Sequence, residues 1–358
     1  MQSRKQHPTI SDVARRAGVS IATVSRVINA TTPVAPETAQ RVQEAIQELA
    51  FVPRAAARVL ASRRTQTLGL LLPQIGGEFF SPLLRGIEAE AQAAGYDLLI
   101  HATSHIPHAV GPVAHRPLGE HNTDGLIVFT QSIDEKELSR LHASNFPVVL
   151  LYQSPPASLD IPAVTVENKT GALRIVEHLI RAHGRRRIVF LRGPDGNEDS
   201  EWRERGYREA LDAHGIQFDP SLVATGGFNE EEAQVAMQEM LAAGVEFDAV
   251  FGGDDDSAAG AISVLKQAGK RIPQEISVVG FDDVTVARYL HPPLTTIRAP
   301  IEQVGREGVR QLVHLIRGQQ AEALVLMRTE LIIRESCGCP PVPPTGSIYD
   351  KSIQGSRR

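Results

Sequence analysis

Between residues 9 and 50, apolar positions recur at helical spacing: Val13 and Ala17, then Val24, Val27 and Ile28, then Val42, Ile46 and Leu49. This predicts three short helices, over Ile10–Arg16, Ile21–Asn29 and Pro36–Leu49, with Pro36 suited to a first helical turn. Residues 1–8 read as a loose arm. The stretch FVPRAAARVLASRRTQT (51–67) is short, basic and alanine-rich, and reads as a linker with a marginal helix after Pro53.

From Leu68 the pattern changes. Short apolar runs predict strands at TLGLLLP, YDLLIHA, DGLIVFT, PVVLLY, AVTVE, RRIVFLRG, DAVFGG and ISVVGF. Amphipathic helices are expected between them: SPLLRGIEAEAQAAG, then Asp134–Ser144, Thr170–His183, Arg203–His214, Asn229–Ala243, Asp256–Ala268 and Ile301–Arg317. Such alternation implies parallel sheets covered on both faces. This part is large for one open sheet, so two stacked α/β lobes are expected, with a cleft at the strand C-terminal ends. The closing stretch CGCPPVPPTGSIYDKSIQGSRR has no periodicity and reads as a disordered tail. The expected division is a helical headpiece at 1–50, a linker at 51–67, a two-lobed body at 68–336 and a tail at 337–358.

The net charge of −5 argues against a nucleic-acid partner, but the distribution reverses this. Of 37 basic and 42 acidic residues, the first 66 positions hold ten and four, a local +6. The rest of the chain then carries −11. A basic head on an acidic body suits a polyanion-binding module attached to a soluble domain. No run approaches the ~18 apolar residues of a membrane span, and MQSRKQHPTISD has no apolar core of a secretory signal, so a cytoplasmic protein is expected. The two cysteines, Cys337 and Cys339, allow no disulfide framework. As a lone C-x-C without a second pair they speak against zinc, and no metal or other cofactor is expected. The histidines at 101, 105, 108, 115 and 121 fit no tight ligand spacing and read as an exposed loop.

The first two predicted helices carry the most specific chemistry. Gly18 can take the left-handed conformation that ends the first helix, and Ser20 can cap the second. Val13, Val24 and Val27 supply a miniature core. The second helix then protrudes, with Ile21, Ala22, Ser25, Arg26 and Asn29 on its free face. Arg26 can pair with guanine and the apolar residues can meet thymine methyls. Thr23, Ser25 and Asn29 can hold phosphates.

The stretch TISDVARRAGVSIATVSRVIN (9–29) resembles the helix-turn-helix of the lactose-repressor (LacI/GalR) family of bacterial transcription regulators. PRAAARVLA (53–61) resembles that family's hinge helix. TDGLIVF, GALRIVEHLI, SEWRERGYREAL, EISVVGFDD and PPLTTI extend the likeness through the body, to about Arg334. The resemblance implies a periplasmic-binding-protein-like core behind a DNA-binding headpiece. It places Ile21, Ala22 and Arg26 over base edges in the major groove. Thr9, Ser20, Thr23, Ser25 and Asn29 complete the headpiece contacts. Leu60 matches a leucine wedged into a minor-groove base step, and Ala57 a small groove-facing residue. Two subunits would read a near-palindrome. The hinge is too short to be helical alone, so it should fold only on DNA.

Sugar sites need acids, amides and Arg for hydroxyls and an aromatic face for the ring. Candidates at strand ends are Phe79, Phe80, Arg203, Phe228, Asp254, Asp255 and Asp282. By resemblance, family effector sites use an aromatic after the first strand, an Arg matching Arg203, an aromatic matching Phe228, and acids or amides matching the three aspartates. Asp256 reads better as a helix N-cap, and Trp202 could stack on a ring. Tyr152 and Gln153 stand where the family's namesake has a sugar-binding Asp, and Glu167 replaces a more usual Asp. The dense acid run favours a neutral polyol over an anionic ligand.

The expected function is therefore a dimeric, ligand-responsive repressor that binds operator DNA and a sugar-like effector, with no membrane partner. The absence of a C-terminal leucine heptad argues against a tetramer. The alternative is a sugar-binding receptor without gene control; the basic head argues against it. An enzyme is not expected: GGDDDSAAG lacks a dinucleotide fingerprint, and no G-x-S-x-G elbow occurs.

Overall fold

The computed structural model describes residues 8–29, 32–51, 64–103 and 118–340. The headpiece helices are α1 (Ile10–Ala17), α2 (Ile21–Asn29) and α3 (Pro36–Glu48), within a residue of the boundaries expected from periodicity. Val13, Ala14, Ala17, Val24, Val42, Ala45 and Phe51 are buried together, and Val27 and Ile28 pack against them. Residues 52–63 lie outside the described part, and with them the expected hinge helix with Ala57 and Leu60.

The body follows as β1 (Thr67–Leu72), α4 (Phe80–Ala94), β2 (Asp97–Ala102), β3 (Gly125–Phe129), α5 (Glu135–Ala143), β4 (Val148–Leu151) and β5 (Ala163–Val166). The second half begins with α6 (Asn168–His183), β6 (Ile188–Arg192), α7 (Glu198–Ala213), β7 (Val223–Thr225), α8 (Glu230–Ala242) and β8 (Ala249–Gly252). It ends with α9 (Asp255–Gln267), β9 (Ser277–Asp282), α10 (Val286–Tyr289), β10 (Thr295–Arg298), α11 (Ile301–Ile316), β11 (Leu324–Met327) and β12 (Glu330–Ile332).

These strands form two six-stranded sheets, ordered β11-β5-β4-β3-β1-β2 and β12-β10-β9-β8-β6-β7. Pairing is parallel throughout except between β10 and β12. The central strands β3, β4, β8 and β9 are buried along their whole length, as parallel strands covered by helices on both faces must be. The chain passes between the lobes three times, after β5, after β10 and after β11. Three strands of contact between two rigid sheets are the geometry of a hinge.

Two expectations require correction. The helix expected to begin at Arg203 begins five residues earlier, at Glu198. Asn197 caps it by accepting from the Ser200 amide at 3.0 Å, and three acids in its first turn suit the positive end of the helix dipole. The disordered tail expected from Cys337 does not begin there. Ser336 and Cys337 are fully buried, Ser336 Oγ donates to the Val278 carbonyl (2.6 Å), and Ser277 Oγ donates to the Cys337 carbonyl (2.7 Å). Their Pro/Gly-rich context obscured a segment that plugs the end of the second sheet. Residues 341–358 lie outside the described part.

Candidate functional site

The lobes meet around a cavity of about 230 Å³ at the C-terminal strand ends. Its two walls differ in chemistry. The first lobe contributes Phe79, Phe80 and Phe129, joined edge-to-face at 5.3–5.9 Å between centroids. The second lobe contributes Asp199 and Arg203 from α7, Asp254 and Asp256 from the start of α9, and Asp282 from the end of β9. Phe228 also lines the cavity from the second lobe, its ring centroid 5.3 Å from the Arg203 guanidinium. Its ring fills the space beside Gly193, where a Cβ would come within 2.4 Å of it.

Arg203 is the centre of the polar wall. It is almost fully buried, and each of its guanidinium nitrogens is directed. Nε donates to Asn168 Oδ1 (2.8 Å), Nη1 to the Gly253 carbonyl (2.6 Å) and Nη2 to Asp282 Oδ1 (3.2 Å). The guanidinium lies 3.8 Å from the Phe281 ring centroid and 5.3 Å from that of Phe228. Asn168 in turn donates to Asp199 Oδ1 at 2.7 Å. The network thus links α6, α7 and β9 through side chains whose rotamers are fixed.

One buried cation faces several carboxylates, and this shapes their ionisation. Burial pushes Asp199 up to about 7, against the opposing pull of Arg203. Burial likewise raises Asp254 and Asp256 to about 6, and raises Asp282, again opposed by Arg203. Near neutral pH the wall therefore offers both protonated and ionised carboxyls. It can accept hydrogen bonds from hydroxyls and give some back, whereas an anion would meet mostly like charge.

Four of the eight described non-glycine residues with positive φ lie in or just behind this cavity. Gln131, Tyr152, Phe228 and Asp282 take positive φ of 59°, 58°, 56° and 104°. For non-glycine residues such conformations are uncommon and mark positions held by their surroundings for a purpose.

The structure brings together Phe79, Phe80, Arg203, Phe228, Asp254 and Asp282 of the residues expected at the cleft. It separates Asp255, which is buried behind the wall and accepts from the Val284 amide (2.8 Å) and Thr296 Oγ1 (2.5 Å). Asp254, not Asp256, caps α9 by accepting from the Ser257 amide at 2.9 Å, and both aspartates line the cavity. Tyr152 lies beneath the aromatic wall, 5.2 Å from Phe79, fully buried, and its hydroxyl has no hydrogen-bond partner among the described residues. Trp202 is outside the cavity, donating to Glu198 (3.1 Å) with Arg205 over its ring. Asp199, Asn197, Thr130 and Gln131 line the cavity without having been anticipated. Asp199 had a readable signal: it precedes Arg203 by four residues, which puts both on one helical face.

In the headpiece, Gly18 ends α1 at φ 66° and lets the chain turn into α2. Ser20 Oγ accepts from the Thr23 amide (3.2 Å) and lies 2.9 Å from Thr23 Oγ1, so these two hydroxyls hold the helix start and each other. Thr9 closes a capping box with Asp12. Ile21, Ala22 and Arg26 are exposed, Ile21 to 50%; Ser25 is half-buried and Asn29 is the last residue of α2. Ile21, Ala22 and Arg26 thus lie on the exposed face of a short helix whose start is capped by Ser20.

Residues 9–54 match the lacI family of bacterial regulatory proteins, and residues 176–337 match the periplasmic binding protein-like domain. The chain is 34% identical over 346 residues to the HTH-type transcriptional regulator CelR of Thermobifida fusca, covering 93% of this chain and 99% of that one. The chain belongs to the LacI family. A second LacI-family relative, the HTH-type transcriptional repressor CytR of Escherichia coli K12, is 34% identical over 95% of this chain and all of its own. Among solved LacI-family structures, a Lac repressor dimer bound to operator and the anti-inducer ONPF has a TM-score of 0.80 at 27% identity, covering 93% of this chain and 99% of that one. A CelR–cellobiose complex has a TM-score of 0.68 at 32% identity, covering 92% and 99%. No described helix is long and apolar enough to cross a membrane.

Proposed function

We propose that this chain is a cytoplasmic, dimeric transcriptional repressor whose hold on a pseudo-palindromic operator changes when a sugar closes the interlobe cleft. The observation that carries the reading is the division of the cleft: aromatic rings on one lobe, a buried arginine among carboxylates on the other. A sugar ring has an apolar face and a rim of hydroxyls, and closing the lobes on it would satisfy both at once. The relatives supply the context, since CelR is seen with cellobiose and the Lac repressor dimer with operator.

In this reading Arg203, Asp199, Asp254, Asp256 and Asp282 hold hydroxyls and Phe79, Phe80 and Phe228 hold ring faces. Tyr152 and Asp255 support the wall from behind. Ile21, Ala22 and Arg26 read bases. Thr9, Ser20, Thr23, Ser25 and Asn29 set the helix on the backbone, and Leu60 with Ala57 works in the minor groove. No catalytic step is assigned to it. Closure moves the lobes about the three crossovers and thereby biases the hinges of the two subunits.

The test is fluorescence anisotropy of the chain on a library of labelled palindromic duplexes at two salt concentrations, with and without cellobiose and common monosaccharides. Salt-sensitive binding to a preferred site, altered by one of the sugars, is expected. The absence of salt-sensitive binding under every condition would end the regulator reading. Binding that no sugar alters would end the sugar reading alone.

A further inference from the structure

A second constellation lies at the opposite end of the second lobe's sheet from the cleft. Ser277 and Thr295 open β9 and β10 there, and the chain after β12 turns beneath them. His178 and His183 reach this point from the last two turns of α6, and Cys337 and Cys339 reach it from the turn after β12. The lone C-x-C of the sequence thus acquires a second pair, from 156 residues earlier in the chain.

The spacing of the four donor atoms is specific. All lie within 4.8 Å of one another. His178 Nε2 is 3.3 Å from His183 Nε2, 3.4 Å from Cys337 Sγ and 3.7 Å from Cys339 Sγ, and Cys339 Sγ is 3.5 Å from His183 Nε2. A single imidazole nitrogen has one proton or one lone pair. It cannot satisfy three neighbours by hydrogen bonding, but it can be one vertex of a coordination tetrahedron. With Zn–N of ~2.05 Å and Zn–S of ~2.3 Å, tetrahedral edges come to ~3.3 Å for N···N and ~3.6 Å for N···S. The observed separations bracket these values.

The surroundings fit the same purpose. Gly338 sits between the two cysteines at φ 113°, and a Cβ there would come within 3.0 Å of the His183 ring, so only glycine lets the turn present both sulfurs to the histidines. Thr295 Oγ1 lies 3.1 Å from Cys337 Sγ and 3.0 Å from the Arg334 carbonyl, so its one proton can turn to a thiolate. Two thiolates balance a divalent charge, so the loaded site is neutral, as a half-buried position requires.

We propose that His178, His183, Cys337 and Cys339 bind one zinc ion, which clasps the segment after β12 to α6. Four protein donors leave no open position, which makes the site structural. Its consequence is mechanical: the segment after β12 is pinned to the helix that opens the second lobe, independently of the effector cleft.

The test uses the full chain purified under reducing conditions, stripped with a chelator and reloaded with Zn²⁺ or Co²⁺ alone. One zinc per chain by elemental analysis is expected, with a melting temperature that rises by several degrees on Zn²⁺ addition and does not respond to Mg²⁺. Co²⁺ should give the intense visible bands of tetrahedral cobalt and a near-ultraviolet thiolate-to-cobalt band. Cys337 is in the core and its loss could prevent folding, so the half-buried Cys339→Ser and His183→Asn carry the comparison. Each should lose tight zinc, and Cys339→Ser should reduce the thiolate band by about half. A reloaded wild-type chain with substoichiometric zinc and no thiolate–cobalt band, or a Cys337–Cys339 disulfide in the reduced preparation, would overturn the site.

Discussion

Glu198 at the start of α7 receives two hydrogen bonds from Ser154 in the other lobe, from its amide at 2.6 Å and from its hydroxyl at 2.7 Å. Gln131 adds a second bridge to the Asp195 carbonyl at 3.3 Å. Both cross the mouth of the cleft, so the conformation described is held by latches as well as by the crossovers. The two charge-assisted bonds to Glu198 contribute about 1 kcal/mol or more each when partly shielded. Glu198→Ala should therefore shift the lobes toward an open arrangement and weaken sugar binding about fivefold to tenfold, with little change in melting temperature. Titration calorimetry gives the affinity, and small-angle scattering reads the opening; an unchanged affinity would show that the latch carries no closure energy.

Arg203 is the sole positive charge among the described residues lining the cavity, and its loss leaves Asp282 and Asp199 without their counter-charge. Breaking one partner of a buried pair costs roughly 3–5 kcal/mol, because the other charge stays buried. Arg203→Met should lower stability by that order and abolish sugar binding. Adding Asp282→Asn should restore part of the stability but none of the binding. Chemical denaturation of the four members of the cycle measures the coupling; additive losses would contradict it.

The raised carboxyls give the ligand-free protein a pH dependence of definite sign. Folded Asp199 keeps its proton up to about 7, whereas its ordinary value is 3.8. Between those values the folded chain binds more protons than the unfolded chain, so stability falls as pH rises, and above them the full penalty remains. Asp199→Asn removes the penalty. It should raise the melting temperature by a few degrees at pH 8 and leave it nearly unchanged at pH 4. An equal effect at both pH values would show that burial of the ionised carboxyl is not what the substitution relieves.

The same residues explain what sequence could and could not disclose. Helix and strand positions followed from periodicity because most elements bury one continuous face. α7 was cut short because its first turn, Glu198 to Glu201, has no apolar residue to mark it. The edge strands β7, β11 and β12 are three or four residues long and half exposed, so they lack the apolar run of a central strand. The run Asp254–Asp256 looked like one ligand cluster, but successive helical residues point ~100° apart. Asp254 therefore caps α9 while lining the cleft, Asp255 turns inward and Asp256 lines the cleft from the first turn. Asn168 and Asp199 join the site only through folding, from separate helices.

The headpiece makes the last prediction. Ile21 and Ala22 are exposed but can offer only apolar contacts to DNA through their side chains, and Ser20 and Thr23 are engaged with each other at the helix start. Arg26 is therefore the side chain on this face best equipped to discriminate a base by hydrogen bonding. A bidentate arginine–guanine contact supplies ~1–3 kcal/mol of discrimination. Arg26→Ala should weaken specific binding about tenfold to a hundredfold and flatten the preference at one base pair of each half-site, leaving the others intact. Ile21→Ala should instead relax a thymine preference at a neighbouring position with a smaller loss of affinity. Binding-site selection with the three proteins distinguishes these outcomes. If Arg26→Ala weakens all sequences equally and lowers the salt dependence by about one phosphate contact, Arg26 holds the backbone and does not read a base.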